Sequence, residues 1–129
     1  MPNKEIISCS EAPAAVGPYS HAVKAGGMVF VSGQLPLDPA TGRLVGADIE
    51  DQTHCCLKNV SEILKACGLS MDDVVKVSVF LKDLNDFESM NRVYDSHFRR
   101  DFPARVCVEV ARLPLDVRIE IEAIAHCAD

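Results

Sequence analysis

An arginine and two glutamates lie in apolar stretches of the last quarter of the chain, where their side chains could bind anions or transfer protons. Arg105 follows Pro103, and Glu120 and Glu122 alternate with isoleucines. A guanidinium binds a carboxylate through two parallel hydrogen bonds, and a desolvated glutamate has a raised pKa that suits a general base. From spacing alone, we favour a salt bridge to a neighbouring acid for Arg105 and a solvated or paired charge for Glu122. Both interpretations stay open for Glu120.

Three residues of the first third are candidates for lining a pocket. Tyr19 follows a Gly-Pro turn, and Ser32 and Gly33 end an apolar run. Gly33 permits close approach of the backbone to a ligand, whereas Tyr19 either closes one side of a pocket or packs with its hydroxyl at the surface.

Cys107 shares a face with Arg105 and could act as a thiolate nucleophile, but a buried, inert thiol is the favoured interpretation.

The six cysteines and four histidines do not predict a metal site. The sequence contains neither a Cys-x-x-Cys pair nor a His-x-x-x-His pair, and consecutive helical residues such as His54-Cys55-Cys56 cannot all face one ion. No apolar signal segment is visible near Met1, so we expect a cytoplasmic protein with reduced thiols.

The charge balance argues against nucleic-acid binding as a function. Nineteen acids and thirteen bases give a net charge of −6, and the sequence has only two Tyr, five Phe and no Trp. Proteins that bind a phosphate backbone through their overall field are usually basic, and those that bind single strands offer stacked aromatic rings. The longest apolar runs are far shorter than the roughly 20 residues of a membrane span.

Hydrophobic periodicity predicts the elements that position these residues. We expect two or three strands at the start, two of them joined by a Gly-Gly turn, and then a helix ended by Gly68. A strand with Val75, Val77, Val79 and Leu81 on one face follows. A second helix capped by Asn85 or Asp86 and two final strands complete the order. The corresponding ranges are 21–24, 28–32, 49–67, 75–81, 87–98, 105–110 and 119–125. The order predicts one α+β domain over residues 1–129, with a mixed sheet and two helices covering one face.

The alternation of the last two strands predicts how the sheet faces are used. If the helices cover the side of Val106 and Val108, the other side carries Arg105 and Cys107 together with Glu120 and its neighbour Glu122. A mixed face of this kind often meets a second subunit, so an oligomer is favoured over a monomer.

Seven short motifs occur in an order and at spacings that resemble the RidA (YjgF-type) family of reactive-intermediate deaminases, from about Lys4 to His126. They are Gly17-Pro18-Tyr19-Ser20, Val31-Ser32-Gly33-Gln34, Asp38-Pro39-x-Thr41-Gly42, Leu84-Asn85-Asp86-Phe87, Pro103-Ala104-Arg105 with Val108, Leu113-Pro114, and Ile119 to Ala125.

The resemblance implies a chorismate-mutase-like, six-stranded fold that assembles as a homotrimer with active clefts between subunits. It implies an enzyme acting on C–N bonds, which hydrolyses 2-iminobutanoate and 2-iminopropanoate to 2-keto acids and ammonia without a metal or organic cofactor. Pyridoxal-phosphate dehydratases would supply these imines. The implied site residues are catalytic Arg105, Glu120 and Tyr19, and substrate-binding Arg105, Ser32, Gly33, Cys107, Asn85 and Phe87.

Two other functions are weighed against hydrolysis. A trimer that senses small keto acids would share Arg105 but would not need Glu120. An RNA-directed activity, as an endoribonuclease or translation inhibitor, has poor support in a chain of net charge −6.

Overall fold

The computed structural model describes residues 3–128 as a mixed sheet of six strands with two α-helices and three short 3₁₀ turns. The strands are β1 (Lys4–Ile7), β2 (Ala22–Ala25), β3 (Met28–Gln34), β4 (Val74–Leu81), β5 (Ala104–Glu109) and β6 (Ile119–His126), and the helices are α1 (Ile49–Ala66) and α2 (Phe87–Phe98). The turns span Met71–Asp73, Leu84–Asp86 and Pro114–Asp116. The predicted α+β class, with two helices and a mixed sheet, is confirmed.

The strands lie in the order β1-β2-β3-β6-β4-β5. Every neighbouring pair is antiparallel except β4 and β5, which are parallel and joined by α2. A parallel pair needs such a crossover, because a tight hairpin can only reverse the chain. The arrangement makes β5 an edge strand, which carries Arg105 at the border of the sheet.

The first helix begins and ends as its residues predict. The Asp48 carboxylate accepts a hydrogen bond from the Asp51 N–H at 2.8 Å and so caps the amino end. Gly68 follows the carboxyl end with φ of +77°, a conformation that costs glycine little. The second helix differs from the expectation, because Asp86 stands at its N-cap position without a side-chain capping bond. Both Asp86 carboxylate oxygens instead accept from Arg118 Nη2 at 3.1 Å.

Both helices cover one face of the sheet and form the core with it. Leu57, Ile63 and Leu64 of α1 are fully buried, as are Val79 and Ile121 of the sheet. Burial of each such side chain contributes about 1.5–3 kcal/mol to folding. The opposite side of the sheet, which we call the open face, has no helix over it among residues 3–128.

The predicted facing of β5 is wrong. Arg105 pairs with Val77 in the parallel register, and Val77 is buried beneath the helices. Arg105 and Cys107 therefore lie on the helix side, and Val106 and Val108 lie on the open face, where they are 43% and 40% exposed. The prediction assumed that the more apolar side of β5 packs against the helices. The register between β5 and β4 instead determines which side faces the helices, and it leaves the two valines uncovered.

Strand β4 departs from the predicted alternation at its start. Its pairing with β6 shifts register between Val74 and Lys76, and this irregularity turns Val74 into the core and leaves Val75 43% exposed. From Val77 onward the alternation is as expected. No helix within residues 3–128 has the length and hydrophobicity needed to cross a membrane.

Candidate functional site

One cleft opens beside Glu120 on the open face. Its volume is about 380 Å³, and we call it the Glu120 cleft. It is lined by Val16, Tyr19, Ser32, Gly33, Leu35, Pro114, Glu120 and Glu122. Sequence reasoning named four of these as site residues, and the structure brings Tyr19, Ser32, Gly33 and Glu120 together.

The absence of a side chain at Gly33 makes room for the Glu120 carboxyl group. A Cβ at Gly33 would lie 3.0 Å from the Glu120 carboxyl carbon and 3.3 Å from its Cγ. These separations are shorter than the 3.5–4.0 Å of an ordinary carbon contact. The pairing of β3 with β6 is irregular between Val31 and Gln34, next to this close approach. Gly33 therefore makes room for the Glu120 carboxylate, and its predicted role in the close approach of a ligand stays a prediction.

The environment of Glu120 raises the pKa of its carboxyl group. Partial burial is the larger cause, because desolvation disfavours the charged form, and the nearby charge of Glu122 adds to it. A carboxylate with a raised pKa holds a proton more readily than a free one. Glu120 can therefore take a proton from a weak acid such as water and pass it on.

Two hydroxyl groups in the Glu120 cleft have different hydrogen-bonding capacities. Ser32 Oγ donates to the Ser20 carbonyl at 2.6 Å, so its lone pairs remain to accept a bond from a ligand. The Tyr19 hydroxyl accepts a bond from the Val16 N–H at 3.3 Å, which leaves its own proton available to donate. Tyr19 is 45% exposed. The cleft therefore offers both an acceptor and a donor.

A second cleft lies on the helix side, beside Arg105. Its volume is about 330 Å³, and we call it the Arg105 cleft. It is lined by Asn91, Tyr94, Asp95, Phe102, Pro103 and Arg105. Arg105 Nη1 donates to Asn91 Oδ1 at 2.7 Å, and its guanidinium carbon lies 4.7 Å from the centre of the Tyr94 ring and 5.6 Å from that of Phe87. These contacts hold the guanidinium in one place without neutralising it.

The salt bridge favoured for Arg105 on spacing is not formed. Across the described part of the chain, the ion pairs are Lys65–Glu62, Arg112–Asp116 and Arg118–Asp86. A half-buried guanidinium with a neutral hydrogen-bond partner and two aromatic neighbours keeps its positive charge free to attract an anion.

The two clefts lie on opposite faces of the sheet of one chain. Glu120 pairs with Phe80 on the open face, between two isoleucines that are buried beneath the helices. Arg105 points the other way. The prediction that both side chains share one face of the chain is therefore wrong, because it depended on the same facing of β5 corrected above.

Of the remaining predicted site residues, Phe87 and Cys107 lie near Arg105. Phe87 contacts the Arg105 guanidinium, and Cys107 is half-buried two residues along the strand from it. Burial raises the pKa of the Cys107 thiol, and the charge of Arg105 opposes this only in part. The Asn85 side chain is exposed, and its backbone N–H donates to Asp83 Oδ1 at 2.9 Å.

The comparisons with known proteins agree with this fold. A family model described as Endoribonuclease L-PSP matches residues 9–127. The RutC family protein PH0854 of Pyrococcus horikoshii is 56% identical, over 95% of this chain and 98% of that protein. The chain belongs to the RidA (YjgF-type) family. The family expected from the sequence motifs is thus confirmed.

Two further relatives within the RidA family bear on the site. The 2-iminobutanoate/2-iminopropanoate deaminase of Salmonella typhimurium is 53% identical over 92% of this chain and 94% of that protein. The crystal structure of Escherichia coli TdcF with bound serine superimposes with a TM-score of 0.90 at 49% identity and covers 96% of this chain and 99% of that one. The strand order and helix placement described above are therefore those of a RidA-family chain.

Sequence reasoning missed two residues that support Arg105 in this RidA-family site. Asn91 and Tyr94 lie four and seven residues after Phe87, so all three fall on one side of α2. In the sequence, Tyr94 contributes to the apolar periodicity of the second helix, and Asn91 belongs to none of the seven motifs. The signal that could have found them is this helical spacing combined with an arginine on the strand that follows the helix.

Proposed function

We propose that the protein hydrolyses 2-imino acids, among them 2-iminobutanoate and 2-iminopropanoate, to 2-keto acids and ammonia. The observation that carries the proposal is the Arg105 guanidinium, which Asn91 and two aromatic rings hold in place and which has no acid within ion-pair distance among residues 3–128. Such a group suits the carboxylate of a small substrate. The names of the Salmonella and Escherichia relatives support the substrate class and the binding of a small amino-acid-like ligand.

We propose that the working site forms between copies of the chain in a homotrimer of the chorismate-mutase-like type. Phe30 of β3 is 45% exposed on the open face, and Val106 and Val108 of β5, at the edge of the same face, are similarly exposed. These apolar groups suit burial against a second copy. Because one chain holds Arg105 and Glu120 on opposite faces, assembly would bring the Arg105 cleft of one copy to the Glu120 cleft of the next.

In the assembled site, Arg105 binds the substrate carboxylate through two hydrogen bonds and removes its translational freedom before reaction. Ser32 Oγ accepts from the imine N–H, because its own proton is engaged by Ser20. The Tyr19 hydroxyl donates a hydrogen bond to a substrate oxygen. The imine carbon then lies beside the Glu120 carboxylate.

Glu120 moves the proton that hydrolysis requires. Its carboxylate takes a proton from water as the water oxygen bonds to the imine carbon, and it returns that proton to the nitrogen. The resulting carbinolamine carries a hydroxyl and an amino group on one carbon. Transfer of the hydroxyl proton to the amino group breaks the C–N bond, which releases ammonia and leaves the keto acid. No step requires a metal or an organic cofactor.

The substrate chemistry indicates where the imine originates. A 2-imino acid arises when a pyridoxal-phosphate dehydratase eliminates water from serine or threonine and the enamine product tautomerises. We therefore propose a functional link to such dehydratases, with this protein removing their unstable product before it reacts elsewhere.

The experiment that tests the activity traps the imine. A threonine dehydratase generates 2-iminobutanoate in the presence of semicarbazide, and semicarbazone formation is followed with and without this protein. We expect a fall with the wild type, no fall with Arg105→Ala, and a fall with the matched control Arg92→Ala, whose guanidinium donates only to Ser89 on the exposed side of α2. Unchanged semicarbazone with folded wild-type protein would contradict the activity.

Glu120→Gln separates catalysis from sensing. We expect this variant to bind a keto acid as the wild type does but to leave the semicarbazone level unchanged, because it keeps the cleft and loses the base. Full turnover by Glu120→Gln would contradict the role of Glu120 as the base.

A mixing experiment tests whether the site joins two copies. Arg105→Ala and Glu120→Gln chains are each expected to be inactive alone. In randomly mixed trimers, about a quarter of the interfaces combine an intact Arg105 with an intact Glu120, so about a quarter of wild-type activity should return. A site within one chain would recover none, since neither chain holds both residues.

A further inference from the structure

Two histidines from different helices meet on the helix layer, away from both clefts. His54 lies in α1 and His97 in the last turn of α2, 43 residues apart in sequence. His54 Nδ1 and His97 Nε2 are 2.9 Å apart, and the ring planes are inclined at 52°. His54 is exposed and His97 is half-buried. Neither residue lines the Glu120 cleft or the Arg105 cleft.

The separation of the two nitrogens matches that of two imidazoles bound to one metal ion. With metal–nitrogen distances of 2.0–2.1 Å, two nitrogens are about 2.9 Å apart at a right angle and about 3.3 Å apart at a tetrahedral angle. The right angle belongs to square-planar and octahedral coordination. In the metal-free chain the two nitrogens share a hydrogen bond. A metal ion of that geometry would displace the shared proton and leave the nitrogen–nitrogen separation nearly unchanged.

The surroundings of His54 favour a cation. A cavity of about 350 Å³ adjoins His54, with Asp38 and Asp51 in its wall together with Lys58. The two carboxylates favour a positive ion, and the cavity has room for waters that complete its coordination.

We propose that His54 and His97 form a two-histidine binding site for a divalent transition-metal ion that joins α1 to α2. Among residues 3–128 no cluster brings together three or more His, Cys, Asp or Glu ligands. Water therefore fills the remaining positions, and the right-angled pair favours Ni²⁺ and Cu²⁺ over tetrahedral Zn²⁺. In the metal-bound form the ring protons lie on His54 Nε2 and His97 Nδ1.

Such an ion stabilises the folded chain, because the unfolded chain does not hold the two rings together. At a free metal concentration 100 times the dissociation constant, the folding equilibrium constant rises about 100-fold. This site is independent of imine hydrolysis, which uses neither histidine. Its failure would leave the proposed function untouched.

The test uses the full chain, freed of metal with EDTA and desalted, and Ni²⁺ as the probe because Cu²⁺ oxidises free thiols. We expect saturable binding of one Ni²⁺ per chain by calorimetry and a rise in Tm with Ni²⁺ concentration. His54→Gln and His97→Gln should each abolish both effects. His126→Gln, which replaces an exposed histidine of β6, should retain them.

Two measurements on the wild type keep the test valid if a variant folds poorly. Paramagnetic Ni²⁺ should broaden the imidazole proton resonances of two of the four histidines selectively, and absorption should show no thiolate-to-nickel charge-transfer band. Absence of saturable binding, equal binding by His54→Gln, or strong thiolate bands would overturn the proposal.

Discussion

Replacing Gly33 with alanine tests whether the rate of imine hydrolysis depends on the position of the Glu120 carboxylate. The added Cβ would overlap Glu120 Oε2 and lie 3.0 Å from the carboxyl carbon, so relief to an ordinary contact of 3.5–4.0 Å requires that the group retreat by about 1 Å or more. A misplacement of about 1 Å at a reacting group costs about 100-fold in rate, or about 2.7 kcal/mol of transition-state stabilisation. We expect kcat of Gly33→Ala to fall by about this factor.

The fold should tolerate the same substitution. Gly33 does not have a φ in the left-handed region, so alanine can adopt its backbone conformation. Glu120 is only half-buried, and its side chain can swing away from the new methyl group. We therefore expect little change in Tm, since the loss of unfolded-state entropy stabilises the variant by about 0.4–1 kcal/mol and offsets part of the contact strain.

The assay measures kcat by semicarbazide competition and Tm by thermal unfolding, with Gly17→Ala as the matched control. A Cβ at Gly17 would lie 3.5 Å from the Tyr19 ring, an ordinary contact, so this variant should keep a rate near that of the wild type. The reasoning is refuted if Gly33→Ala retains more than about half of kcat, or if it loses activity only in proportion to loss of folded protein.

Four further outcomes follow from the contacts of the two clefts. Tyr94→Leu removes the aromatic ring beneath the Arg105 guanidinium and should raise KM about 2- to 30-fold. Tyr94→Phe keeps the ring and should leave KM unchanged, because the buried Tyr94 hydroxyl has no hydrogen-bond partner among residues 3–128. Glu122→Gln removes one of the two causes of the raised Glu120 pKa, so the acid limb of the kcat/KM profile should move to lower pH. The raised pKa means that the folded chain holds the Glu120 proton more tightly than the unfolded chain. Glu120 therefore contributes stability at acid pH, and this stability is lost as the pH rises through the folded-state pKa. At neutral pH, Glu120→Gln should raise Tm because it removes the half-buried charge. Cys107→Ser should keep at least about half of kcat, because a buried thiol with a raised pKa is not the nucleophile, and a larger loss would implicate the sulfur.

The exposed apolar side chains of the open face connect the fold to the proposed assembly. Val106 and Val108 belong to the edge strand that carries Arg105, and Phe30 lies across the sheet from them. Introducing a charge with Val106→Asp should weaken the trimer and lower activity together, because burial of an unpaired carboxylate is costly. Size-exclusion chromatography with light scattering would measure the assembly.

Local patterns were sufficient for the elements and for the identity of many site residues. The helix of residues 49–66 was predictable because side chains three and four positions apart share a face, and Gly68 marks its end. The family was recognisable because short motifs such as Pro103-Ala104-Arg105 keep their order along the whole chain. These features depend on residues close together in sequence, whose geometry the backbone itself dictates.

The side of the sheet on which each site residue lies depends on contacts between distant segments. Arg105 faces α2 because β5 pairs with β4 in a particular parallel register, and a shift of one residue would turn the side chain to the open face. Asn91 supports Arg105, and His54 meets His97, only because the crossover packs α2 against the sheet and against α1. No local periodicity encodes a strand register or a helix contact, since both depend on the combined packing of the whole core. For this reason the sequence shows the residue types of the site, whereas only the pairing of the strands shows that these residues lie on two faces of the sheet.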